Sequence, residues 1–405
     1  MLKQVPHYYK DFHCIASECK DNCCVGGWQI DIDDETAEYY LKLKGPFGDR
    51  LRNSITKTDA YCFKLFNGKC PFLDERNLCE IYQELGEDKM GVVCTQFPRY
   101  SEYFGHIKET GIGLACEEAA SIILNDSQKL SIDMLKCDEE FVDDPEYDNQ
   151  LAEGLFAIRR KIFELIEDDS CTLFSKLNSI LYICNEIQKC INTNDYESLD
   201  SLNIFDNHNG LKSHDTAVSD NPDNSLDKNI ADSICVQRDD LKENIVKILY
   251  PYSELEVLND DWNNEMNSIF DSVYENDSIT EGKYKSLFIE FYKADKANER
   301  RYLNIIKYFI FRYFMKTTYD HDCFHKAVLT ISNIIVLYNM NFVRWLSNDK
   351  HIEDKHLFDS VHIFSREVEY DEDNIEQLYE EFIFDEIFRY ENISALMIIL
   401  DELLS

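Results

Sequence analysis

The sequence predicts a mainly α protein, with a small cysteine-rich α+β metal-cluster head followed by a helical bundle. Two observations predict it. Nine of the fifteen cysteines fall within the first 116 of 405 residues. From residue 150 onward the apolar residues instead recur at the three-and-four spacing of amphipathic helices. An apolar share of 44% over this length supplies a real core and suits two or three domains.

The head opens with "HCIASECKDNCCVGGW", which crowds Cys14, Cys19, Cys23 and Cys24 ahead of two glycines. "GWQIDID" then alternates Trp28, Ile30 and Ile32 with polar residues, the pattern of a short strand, and "DDETAEYYLKL" begins with acids suited to a helix N-terminus. In "YCFKLFNGKCPFL", Asn67-Gly68 lies between two apolar runs and predicts a hairpin turn, because both residues tolerate positive φ; Leu65 should then lie near Cys70. A second polar turn, "DERN", should bring Cys70 and Cys79 to one end of a compact loop.

Leu151, Leu155, Ile158, Ile162 and Leu165, then Leu173, Leu177, Ile180, Cys184, Ile187 and Ile191, predict an antiparallel helix pair. Residues 200–232 are rich in Asp, Asn and Ser and predict a long surface loop or acidic linker. Helical patterns return in "KYKSLFIEFYKADKANERRYLNIIKYFIFRYFM", "HKAVLTISNIIVLYNMNFVRWL", "DNIEQLYEEFIFDEIFRY" and "SALMIILDELL". The expected division is a cluster domain over 1–136, a helical hairpin over 137–199, the linker over 200–232 and a C-terminal helical domain over 233–405. No repeat at solenoid spacing is found.

Aspartate and glutamate number 78 against 41 lysines and arginines, a net charge of −37 that repels nucleic-acid phosphates and anionic lipids. Neither nucleic acid nor membrane is an expected partner. The start, "MLKQVPHYYKDF", has no apolar signal region, and "YLNIIKYFIFRYFM" is interrupted by Lys307 and Arg312, so a cytoplasmic protein is expected.

In such a chain, reduced thiols holding a metal are a better explanation of the cysteines than a disulfide framework. Thiolates bind zinc or iron–sulfur clusters, and a closed site needs about four of them. Eight candidates stand in clustered contexts: Cys14, Cys19, Cys23, Cys24, Cys70, Cys79, Cys94 and Cys116. Adjacent residues of an extended segment point to opposite sides, so Cys23 and Cys24 need not share one ion. Cys62, Cys137, Cys171, Cys184, Cys190, Cys235 and Cys323 occupy isolated or helical positions and are read as buried thiols. The spacing is not the C-x3-C-x2-C of radical S-adenosylmethionine enzymes. His321 and His325 in "YDHDCFHKA" have i,i+4 spacing without the glutamate of an H-E-x-x-H motif and are read as a solvated pair.

"PHYYKDFHCIASECKDNCCVGGWQIDIDDETAEYY", "CPFLDERNLCEIYQELGEDKMGVVCTQFPR" and "GLACEEAA" together resemble the flagellin lysine N-methylase family, and the likeness resumes at "RRYLNIIKYFIFRYFM". The resemblance implies S-adenosylmethionine-dependent methylation of lysine side chains on flagellin, by a protein carrying a [4Fe-4S] cluster, with zinc as the alternative metal. The eight cysteines above match the family motifs. Trp28, Pro98 and Arg99 match neighbouring positions, with no role assigned.

Methylation needs a neutral lysine, because an ammonium has no lone pair and free lysine titrates near about 10.4. Burial in an aromatic pocket lowers that value, and a Tyr, Glu, Asp or His can relay the proton. Tyr8, Tyr9, Tyr39, Tyr100 and Tyr103 lie near the motifs, but no catalytic base is assigned and no donor-binding residue is named. There is no G-x-G-x-x-G between a strand and a helix; "TGIGLAC" offers only Gly111 and Gly113, so a Rossmann methyltransferase is disfavoured. Two other functions compete: a non-catalytic zinc or iron–sulfur redox or interaction module, and an atypical radical S-adenosylmethionine enzyme. The oligomeric state is not encoded in any of these features.

Overall fold

The computed structural model describes all residues except 142–146, 203–235, 237–239 and 258–259. Most of the expected acidic linker, and Cys235, lie outside the described residues.

The first 136 residues are mixed α and β, as expected, but they hold two sheets. The strands β1 (Leu2–Pro6), β5 (Arg99–Phe104), β6 (Ile107–Ile112) and β7 (Ile132–Lys136) make a four-stranded sheet in the order β5-β6-β1-β7. In it β1 runs parallel to β6 and antiparallel to β7. The second sheet, β2-β4-β3, is built from β2 (Asp31–Ile32), β3 (Ile55–Lys57) and β4 (Tyr61–Phe63). Its own small core joins Ile30, Ile32, Tyr40, Leu51, Phe63, Phe72 and Ile81.

Helix α1 (Asp34–Lys42) starts as the acids predict, with the Asp33 side chain accepting from the Thr36 amide. Helix α2 (Pro46–Ser54) follows it, with proline in its first turn. Asn67 and Gly68 take positive φ and close a two-residue turn between Phe66 and Lys69. The arms of that turn stop there, because β4 spends its hydrogen bonds on β2 and β3. The Cys70 amide instead donates to the Cys24 carbonyl at 2.8 Å. Short helices α3 (Glu80–Leu85), α4 (Val92–Gln96) and α5 (Glu117–Leu124) complete the head.

Helices α6 (Asn149–Ile166) and α7 (Leu173–Thr193) form where the periodicity places them, capped by Asp148 and Thr172. They are followed by α8 (Leu241–Ser253), α9 (Asp260–Ile269), α10 (Glu281–Ala294), α11 (Glu299–Tyr313), α12 (Phe324–Ser347), α13 (Asp354–Phe364), a π-helical turn at Ser365–Glu369, α14 (Glu372–Phe384) and α15 (Tyr390–Leu404). Helix α7 packs chiefly on α15 and α12 and only lightly on α6, so its main partners are distant in sequence. Helix α12 is long and apolar enough to cross a membrane by length and composition, but its apolar stretch is buried inside the protein. Helix α5 of the head docks on α11 and α13, so one hydrophobic core runs from Tyr8 and Phe12 to Leu400.

His321 does not share a helical face with His325. It sits in left-handed backbone before α12, while the His325 ring pairs with Asp322 at 2.8 Å and Cys323 is buried.

Candidate functional site

The eight cysteines come from five places along the chain. Cys14, Cys19, Cys23 and Cys24 lie in the loop before β2, and Cys70 follows the Asn67-Gly68 turn. Cys79 caps the N-terminus of α3, Cys94 lies within α4, and Cys116 caps the N-terminus of α5.

Electrostatics show which thiols face one another. Burial pushes Cys94 up to about 12, and the charges of Cys70, Cys79 and Cys23 add to it. Burial likewise pushes Cys70 up to about 11, with Cys79 and Cys23 contributing. The Cys24 thiol donates to Cys23, which raises Cys24 and holds Cys23 below its ordinary value. Burial takes Cys116 up to about 11 against the helix amides of Glu118 and Ala119, with Cys23 and Cys14 adding. Burial takes Cys19 up to about 12, helped by Glu117 and Cys116.

Cys23 acts on Cys24, Cys70, Cys94 and Cys116, while Cys79 acts on Cys70 and Cys94, Cys14 on Cys116, and Cys116 on Cys19. Among the described residues no three His, Cys, Asp or Glu side chains are spaced to hold a metal ion as they stand.

The loop is tied down at its middle, Cys19 to Asp21, by residues the sequence reading did not single out. Glu117, next to Cys116, accepts from the Lys20 amide at 2.8 Å and from the Cys19 thiol at 3.3 Å. Asp21 is gripped by two C-terminal side chains, His362 at 2.8 Å and Arg366. Together they hold its carboxyl below the usual carboxylate range, His362 contributing most. Arg366 is almost fully buried and also donates to Asp261 and Glu367, each at 2.7 Å. "CEE" placed Glu117 beside a candidate ligand; nothing local linked Asp21 to residues some 340 positions away.

Trp28, unassigned at first, packs on Phe97 at 5.2 Å and on Tyr370 at 4.7 Å between ring centroids. Arg99 lies over the Phe12 ring at 4.9 Å, and the Pro98 carbonyl accepts from the Gly113 amide at 2.8 Å. Gly111 serves close packing: a Cβ there would stand 2.3 Å from the Tyr100 hydroxyl. "TGIGLAC" is thus the end of a strand rather than a phosphate-binding loop.

Behind this surface Glu369, fully enclosed, accepts from the Tyr308 hydroxyl at 2.8 Å, Tyr313 at 3.1 Å and Ser365 at 2.6 Å, and pairs with Arg312 at 3.2 Å. The Arg312 guanidinium lies 4.5 Å over the Tyr100 ring. Of the tyrosines near the motifs, Tyr8 belongs to the core and Tyr103 donates to Glu139 at 3.0 Å.

Residues 159–396 match the family described as the FliB lysine N-methylase C-terminal domain. A flagellar biosynthetic protein, FliU, of Salmonella muenchen is 31% identical over 139 residues, covering 31% of this chain and 79% of that protein. Lysine-N-methylases of Salmonella choleraesuis and Salmonella typhimurium are also 31% identical over 139 residues, and there the match spans 33% of the relative's length. No solved structure matches. The family match covers more than half of the chain, which therefore belongs to the FliB lysine N-methylase family, whose name describes a lysine N-methyltransferase.

Proposed function

We propose that this chain methylates lysine side chains of flagellin in the cytoplasm, with S-adenosylmethionine as the donor and a [4Fe-4S] cluster held by cysteines of the head. The observation that carries the reading is that Cys23 lies within electrostatic reach of Cys24, Cys70, Cys94 and Cys116 in a chain of the lysine N-methylase family. The name of the FliU relative supports a flagellar substrate.

The donor set fits a soft metal centre. Cys70 and Cys116 are half-buried and, like Cys94, are raised by desolvation and by neighbouring thiols, so bringing them all to thiolate demands a compensating cation. Cys23 with Cys24, Cys70, Cys94 and Cys116 would hold the cluster, with Cys14, Cys19 and Cys79 as the further candidates. When bound, the cluster supplies the positive charge that stabilises thiolates, and S-adenosylmethionine supplies an electrophilic methyl carbon.

The chain's own contribution is placement. Glu117 and the His362–Arg366 pair fix the cysteine loop at Lys20 and Asp21, while the helix amides of α5 favour the thiolate of Cys116. An acidic surface attracts basic side chains, and the bound lysine must lose its proton before its nitrogen can attack.

The test is anaerobic purification with iron, sulfide and zinc analysis on the wild type, Cys23→Ser and Cys94→Ser, followed by methyl transfer to flagellin. The reading expects iron and sulfide in the wild type, and their loss together with transfer in both variants. Stoichiometric zinc without transfer would replace it with the non-catalytic metal module. Transfer that requires a reductant would favour radical chemistry.

A further inference from the structure

We propose that Trp28, Phe97 and Tyr370 form the surface that receives the substrate lysine, resting on the reading of this protein as a lysine methylase. The three rings come from three separate segments: the cysteine loop, the residues after Cys94, and the end of the π-helical turn. Their centroids lie 4.7, 5.2 and 5.7 Å apart. Tyr370 is 43% exposed, so the cluster is open to solvent rather than sealed as core.

The rings are tied to the cysteine segments: Trp28 lies four residues after Cys24 and Phe97 three residues after Cys94. Trp28 is held at this place against its own hydrogen-bonding interest. Its indole nitrogen is buried without an acceptor, and a Cβ on Gly26 would come within 2.8 Å of it. An orphaned donor of this kind marks a ring whose position is set by something other than local satisfaction.

Charge complementarity selects the occupant. Tyr370 is followed by Asp371, Glu372 and Asp373, the last two exposed, and the whole chain carries −37. The nearby cation Arg312 is already paired with the enclosed Glu369. An exposed aromatic surface followed in the chain by three carboxylates suits an apolar stem ending in a cationic or methylated nitrogen, which is a lysine side chain. An apolar peptide lacking the amine would gain the ring contacts but not the charge.

The experiment is calorimetric titration of the full chain with a short peptide bearing a central lysine, with the same peptide carrying Nε-trimethyl-lysine, and with norleucine at that position. The wild type should bind both cationic peptides more tightly than the norleucine peptide, on the order of fivefold. Tyr370→Ala should lose that preference by a similar factor, and Tyr370→Phe, which keeps the ring, should restore most of it. In methyl transfer Tyr370→Ala should raise KM far more than it lowers kcat. Equal binding of the norleucine peptide, or unchanged lysine affinity in Tyr370→Ala with circular dichroism like the wild type, would overturn the proposal. A wild type that discriminates lysine from norleucine yet transfers no methyl group would sink the methylase reading and leave the surface standing. A wild type that transfers methyl groups while Tyr370→Ala keeps both affinity and KM would do the reverse.

Discussion

Replacing Asp21 with asparagine should release the cysteine loop without unfolding the protein. In the native chain the Asp21 carboxylate holds the ring of His362 at 2.8 Å and the guanidinium of Arg366. Charge-assisted bonds contribute about 1.5–3 kcal/mol when sheltered. The Asp21 side chain is 35% exposed, so solvent screening reduces the pair to about 1–2 kcal/mol. A loss of that size in local opening free energy raises the rate of reactions that need the open loop by roughly five- to thirtyfold. The assay is the rate of iodoacetamide alkylation at each cysteine of metal-free protein, read by peptide mass spectrometry. Cys19, half-buried in the closed loop, should accelerate, while Cys184 and Cys323, buried among the helices, should not. His362→Gln added to Asp21→Asn should change little more, because both remove one contact. Equal rates in the wild type and variant, or equal acceleration at every cysteine, would refute the idea that this contact holds the loop.

Three further outcomes are expected. Arg159, which with Glu109 forms an ion pair exposed by no more than 4% on either side chain, should cost about 3–5 kcal/mol when changed to methionine, and Arg159→Met with Glu109→Leu should recover most of it in urea denaturation. Asp295 is pushed up to about 6 by burial, against the donors Asn298 and Tyr302. The folded state holds that proton more tightly than the unfolded chain, so the stability from this group is fully present below pH 3.8 and is lost as pH rises through 6. Asp295→Asn should therefore stabilise by roughly 1–3 kcal/mol at pH 7 and by almost nothing at pH 4, measured as Tm. Gly111→Ala should destabilise by about 1–3 kcal/mol through its clash with Tyr100, and Tyr100→Ala in the same chain should relieve part of that loss.

Helical periodicity located α6, α7, α12 and α15 because a buried stripe leaves its period in the residues themselves. The Asp33 cap and the Asn67-Gly68 turn were legible for the same kind of reason: each depends on residues within three positions. The strand β1 was not. Its partners are β6 and β7, more than 100 residues away, and Leu2 is exposed, so "LKQVP" carries no alternation to read. The helical pattern expected over 283–315 divides at Asp295–Asn298, where Asp295 turns inward to accept from Asn298 and Tyr302.

At the site the division follows the same line. The cysteines, their clustering and the likeness to a lysine methylase are properties of the chain order, since ligand chemistry and motif spacing survive without a fold. Which thiols face Cys23, the grip of Arg366 and His362 on Asp21, and the meeting of Trp28 with Phe97 and Tyr370 exist only once the head docks on α11 and α13. The sequence by itself determined the kinds of groups the protein carries and the local elements that bear them. The tertiary structure alone decided which of those groups meet, because such contacts are stabilised by burial and charge between segments that have no influence on one another until they pack.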